Sequence, residues 1–153
     1  MSSTQPVPDL TAHIGFWLRR VSNHVSHAFA ARLSRKGVTV AEWSVMRALY
    51  GKEPMPPSRL ADEMGLSRGA ITRLADRLIA KSLIMREASA DDGRAQTLAL
   101  TCRGRALVPD LAALADRNDA EFFECLTTDD RETLGRLLKT LAQRGHMTAI
   151  PID

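Results

Sequence analysis

Residues 65 to 78 read GLSRGAITRLADRL and carry three arginines, Arg68, Arg73 and Arg77, beside the hydroxyls of Ser67 and Thr72. A guanidinium is planar and permanently charged, and its forked donors match a phosphate or the O6/N7 edge of guanine. Arg68 and Arg73 are expected at a base edge or a phosphate, and since they point about 140° apart on ideal helix geometry they are not expected to do the same job. Thr72, four residues from Arg68, shares its face and suits a phosphate or a thymine methyl. Arg77, farther along, suits a backbone contact, and Ser67 reads both as a helix N-cap and as a phosphate ligand. Gly69 is out of place on propensity, since glycine in a helix costs about 1 kcal/mol relative to alanine. Two readings are open: Gly69 and Ala70 keep the first turn slim enough to approach a groove floor, or Gly69 packs closely on the preceding helix.

A second constellation is Trp17, Arg20, His24 and His27, spaced i, i+3, i+7 and i+10, with Trp43 on the following element. Cations beside an aromatic wall suit a small aromatic carboxylate. His24 and His27 lack cysteine or acidic neighbours in sequence, so no metal site is expected. Cys102 and Cys125 have no CxxC spacing and are read as packed thiols, with redox sensing as the alternative role. No HExxH, P-loop or GxSxG motif occurs, which argues against an enzyme, and no cofactor is expected beyond an aromatic carboxylate effector. A helical protein-interaction module remains the rival class.

The elements that must position these residues follow from period and punctuation. Within 65–78 the apolar residues Ile71, Leu74, Ala75 and Leu78 continue to Ile79 and form one buried helical face. Ahead of it, Pro57 starts a short helix, PSRLADEM, closed by Gly65, so two short helices flank a GLS turn. Thr39 and Glu42 form a capping box for a helix reaching about Tyr50, and EPMPPS is a turn-rich link. Downstream, LIMREAS and AQTLALT flank an Asp-Gly turn and predict a hairpin. A long first helix over about 10–36 carries Ile14, Trp17, Leu18, Val21, Val25, Ala28, Phe29 and Leu33, and Gly37 ends it. Thr101 caps a long helix reaching about Cys125, and Thr127 or Thr128 opens a last one bearing Leu134, Leu137, Leu138 and Leu141. The expected fold is mainly α: six helices plus a β-hairpin wing, a winged helix-turn-helix with flanking N- and C-terminal helices.

With 153 residues and 44% hydrophobic content, one domain is expected. The first residues lack a signal peptide's basic and apolar regions, and no apolar run suits a membrane span, so a cytoplasmic location is expected. The net charge of +3 is unevenly spread: +4 over residues 1–53, +3 over 54–105 and −4 over 106–153. A basic front and an acidic tail suit a molecule that meets a polyanion on one side only.

The blocks AEWSVMRAL (41–49), SRLADEMGLSRGAITRLADRLIAKSLIMR (58–86) and DDGRAQTLALT (91–101), in that order, resemble the MarR family of bacterial transcriptional regulators. The resemblance implies one domain over 1–153, with dimerisation helices at 10–36 and 102–147 and a DNA-binding lobe at 38–101. It implies a two-fold homodimer on pseudo-palindromic double-stranded DNA, repression as the default, and a small aromatic acid-like effector bound between the dimerisation helices and the DNA-binding lobe. At the wing tip it implies that Arg94 enters the minor groove, oriented by Asp92. The implied DNA-contacting set is therefore Ser67, Arg68, Gly69, Ala70, Thr72, Arg73, Arg77, Asp92 and Arg94. In two respects the chain departs from the family pattern: Ser82 stands where a glycine usually follows the recognition helix, and Arg94 is the only arginine at the wing tip.

Overall fold

The computed structural model describes residues 5–89, 91, 93 and 95–152. A 3₁₀ turn, Leu10–Ala12, precedes α1 (Ile14–Ser34), α2 (Val40–Leu49), α3 (Pro57–Met64), α4 (Arg68–Ala80), β1 (Ile84–Ala88), β2 (Gln96–Leu100), α5 (Cys102–Phe123) and α6 (Thr128–Arg144). The expected six helices and hairpin are all present, with one change at the front. His13 is extended, so the first helix begins at Ile14 rather than Leu10. No helix among the described residues is long and apolar enough to cross a membrane.

One core joins α2, α3, α4, the hairpin and the inner faces of α1 and α5. Leu33, Val45, Met46, Leu60, Met64, Ile71, Leu78, Ile84, Leu98 and Leu111 are buried in it. The hairpin pairs Ile84 with Leu100 through Ala88 with Gln96 in antiparallel register. The link EPMPPS is more than a turn. Met55 is buried and exchanges two hydrogen bonds with Leu98, its N–H donating at 2.9 Å and its carbonyl accepting at 2.8 Å. This single bridge ties the α2–α3 connection to the root of the wing.

Three local devices set the angle of α4. Thr39 caps α2 by accepting the Glu42 N–H, but Glu42 does not reach back to complete the box. Its buried carboxylate instead takes both oxygens to Lys81 Nζ, at 2.7 and 2.9 Å, and the same ammonium donates to Gly37 O at 2.8 Å. The ammonium at the end of α4 thus ties the buried carboxylate of α2 to the turn that follows α1. Ser82 then turns the chain at φ 60°, taking the left-handed conformation usually left to glycine. Its carbonyl accepts from Thr101 Oγ1 at 2.7 Å, while that oxygen accepts the Gly104 N–H at 3.0 Å to cap α5.

Gly104 has no room for a side chain. A Cβ built there would lie 2.0 Å from Leu83 O, so α5 crosses directly on the backbone that leads into the wing. The cysteines differ from expectation: Cys102 and Cys125 are both exposed rather than packed. Cys102 is the first residue of α5, and Cys125 lies just past its end, so neither sits on the inward stripe.

Candidate nucleic-acid interface

α4 is built to be buried on one face and bare on the other. Ile71, Leu74, Ala75 and Leu78 are its buried residues. Arg68, Gly69, Thr72, Arg73 and Arg77 are exposed on the opposite side, with Ala70 half-buried between them. Ser67 Oγ accepts the Ala70 N–H at 3.1 Å, which makes Ser67 the N-cap and leaves its hydroxyl hydrogen for an outside acceptor. The helix N-terminus therefore carries the partial positive charge of its free N–H groups out into solvent, beside two guanidinium groups.

The side chains sort by what they already do. Thr72 Oγ1 donates to Arg68 O at 2.9 Å, so its hydrogen is engaged and its outward methyl is the group left to meet an apolar partner. Arg73 leans back along the helix, its Nη1 lying 3.9 Å from where a Gly69 Cβ would be. Outside the backbone of α4 itself, only Ser67 Oγ otherwise comes within 4 Å of that point, so no helix of the described residues packs on Gly69. The close-packing reading of Gly69 is therefore overturned, and the bare first turn is what remains. Arg86 on β1 pairs with Asp76 at 2.6 Å and ties α4 to the wing. Asp92 and Arg94 lie outside the described residues, and the hairpin is followed as far as the Ser89 N–H donating to Ala95 O at 2.8 Å.

The second constellation is separated. A cleft of about 330 Å³ opens between α1, α2 and α5, lined in part by Val25, Ser26, Phe29, Trp43 and Asn118. Trp43 is thus a wall of the cleft, but Trp17, Arg20, His24 and His27 are not among its lining residues. Those four are exposed on α1, where Arg20 stacks on Phe16 and Trp17, and His24 lies 5.5 Å from the Phe122 ring. Trp17 Nε1 donates to Thr11 O at 2.9 Å and so pins the chain ahead of α1. Sequence reasoning missed Asn118, although a polar residue seven positions after Leu111, in line with the apolar stripe of α5, was the signal available.

It also missed the segment after α6. The chain reverses at Gly145–His146, and Met147 N–H donates to Ala142 O at 3.0 Å. Residues 147–152 then run back over the helix-turn-helix as a strap. Ile150 N–H donates to Met64 O at 3.0 Å, and Ala149 lies so close to Gly65 that a Cβ there would be 2.9 Å from its Cα. Ile150 and Pro151 form one wall of the cleft, and Ile152 lies beside Ala70, Arg73 and Arg77 on α4.

Comparison with known proteins points the same way as this geometry. Residues 36–95 match the model of the MarR family. The HTH-type transcriptional repressor Rv2887 of Mycobacterium tuberculosis is 28% identical over 130 residues, covering 85% of this chain and 94% of that protein. A mutant MarR from E. coli complexed with operator DNA superposes with a TM-score of 0.73 at 26% identity, over 84% of this chain and 92% of the other. CouR from Rhodococcus jostii RHA1, bound to p-coumaroyl-CoA, gives a TM-score of 0.73 at 27% identity, over 95% and 100% of the two chains. In its helix order, its capped basic α4 and its hairpin wing, the chain is similar to the MarR family of transcriptional regulators, with the family model itself confined to residues 36–95.

Proposed function

We propose that this chain is a homodimeric repressor that places α4 in the major groove of a pseudo-palindromic operator and is released by a small aromatic molecule. The observation that carries the reading is α4 itself: a capped N-terminus and two arginines, Arg68 and Arg73, stand in solvent around a first turn with nothing packed on Gly69. A major groove admits one such helix, and the roles follow from what each side chain has free. Arg68 and Arg73 read base edges or grip phosphate, the Thr72 methyl meets a thymine methyl, Ser67 and the N–H groups beside it hold a phosphate, and Arg77 meets the backbone. Arg94, oriented by Asp92, is the minor-groove contact of the wing.

A single helix reads too few base pairs, and α6 buries none of its residues in its own chain. Ile14, Leu18 and Val21 on α1 and Leu137, Leu138 and Leu141 on α6 are left exposed. A second copy covers these stripes, with the acidic C-terminal third turned away from phosphate. The cleft at Trp43 is the effector site, a reading supported by its aromatic wall and by CouR, a relative of the same fold that binds p-coumaroyl-CoA. The protein works in the cytoplasm, with no catalytic chemistry, metal or cofactor of its own. Selection from a random duplex pool tests the reading. It should enrich two inverted half-sites centred one helical turn or a multiple apart, with affinity falling steeply as salt rises. Enrichment of an unpaired site, or binding indifferent to salt, contradicts it.

A further inference from the structure

The cleft has walls of two kinds. Val25, Phe29, Val40, Trp43, Ala115, Ile150 and Pro151 make it apolar and aromatic, and its size suits a single substituted ring. Its polar groups are Ser26, Ser44, Asn118, Asp116, Asp119 and the indole N–H of Trp43, and among the described residues no lysine, arginine or histidine lines it.

What those groups have left to offer is mixed in hydrogen bonding and one-sided in charge. Asn118 is 5% exposed, and its Nδ2 donates to Val25 O at 3.3 Å. That bond fixes the orientation of the amide, because the flipped form would set oxygen against oxygen, so Asn118 Oδ1 is left as an acceptor. The Ser44 hydroxyl already donates to Val40 O at 3.0 Å and can only accept. Asp116 and Asp119, one helical turn apart on α5, are exposed, and neither belongs to an ion pair among the described residues. As carboxylates they accept and repel anions. The neutral donors that remain are the Ser26 hydroxyl, the second N–H of the Asn118 amide and the Trp43 indole N–H, and no positive charge joins them among the described residues.

A ligand here can place donors on Asn118 Oδ1 and Ser44 Oγ, but it meets a mouth whose only full charges are negative. We propose that the cleft takes an uncharged or cationic aromatic molecule that donates hydrogen bonds, of the phenol, aryl amide or arylamine class, in preference to an aromatic carboxylate. The proposal rests on reading the cleft as the effector site. The carboxylate class suggested by Arg20, His24 and His27 has no cation in the cleft to receive it, because all three lie on α1 outside its lining.

Three probes isolate charge at constant shape: 4-hydroxybenzamide, 4-hydroxybenzylamine and 4-hydroxybenzoate, each titrated by calorimetry into the full-length protein. The amide and the amine should bind at least about tenfold more tightly than the acid, the ratio expected of two partly screened carboxylates at the mouth. In the double variant Asp116→Asn, Asp119→Asn the gap should close to within about threefold, with melting temperature unchanged because both side chains are exposed and unpaired. Tighter or equal binding of the acid to the unaltered protein, or a gap that persists in the variant, overturns the proposal but leaves the effector site standing. If none of the three binds at millimolar concentration, the effector-site reading falls and the proposal with it.

Discussion

Single residues carry most of the local rules that this fold bends. Ser82 holds φ 60° without glycine's freedom, so Ser82→Gly should stabilise the protein by about 1 kcal/mol, seen as a higher melting temperature. Gly104 is the opposite case. Gly104→Ala forces a methyl onto Leu83 O, at 2.0 Å before relaxation, and should cost about 3 kcal/mol or more, the upper range for overpacking. Gly69 separates stability from function. With open space around it, Gly69→Ala should gain about 0.5 to 1 kcal/mol of helix propensity yet weaken DNA binding by adding bulk at the groove floor. A lower melting temperature for Gly69→Ala would show that its neighbourhood is more crowded than this.

At the scale of elements, the helices and hairpin were legible because period, caps and breakers agreed. Thr39, Pro57, Gly65, Ser67, Thr101 and Thr127 all mark ends where they were expected. What escaped was non-local. Glu42 has the spacing of a capping box, but a lysine 39 residues away offers a full charge where the backbone N–H offers a dipole, and the carboxylate goes there. Met55 pairs with Leu98 across a stretch that reads only as a turn, and the strap has no periodicity to announce it. Of the candidate site, the α4 face could be read because its two faces alternate within one helix. The cleft could not, since its walls come from three helices and the strap. Lys81→Ala leaves a buried carboxylate unpaired and should cost about 3 kcal/mol in denaturant unfolding, partly softened by water reaching the half-exposed site. Ile150→Asp should loosen the strap from Met64 and the cleft, changing effector affinity more than the fold, because Ile150 lies at the edge of the core.

For the whole molecule, the uneven charge and the unpartnered helices belong to one design. The basic front carries α4 and the wing, while the acidic end carries α6 and the outer part of α5. Leu138→Glu on α6 should shift the protein to a monomeric mass and lower operator affinity by about 10² or more, since the second half-site then gains nothing from the first. A dimer that survives this change would mean that the copies meet elsewhere.

Fluorescence anisotropy with the selected duplex shows whether the exposed face of α4 contacts DNA, as proposed. Arg68→Ala and Arg73→Ala, measured over a salt series, should each lose about 1 to 3 kcal/mol if they meet a base, or lower the salt slope by about one if they meet a phosphate. Both variants should keep the melting temperature of the unaltered protein, because both side chains are exposed. Unchanged affinity and unchanged salt slope in both would mean that α4 does not hold the DNA.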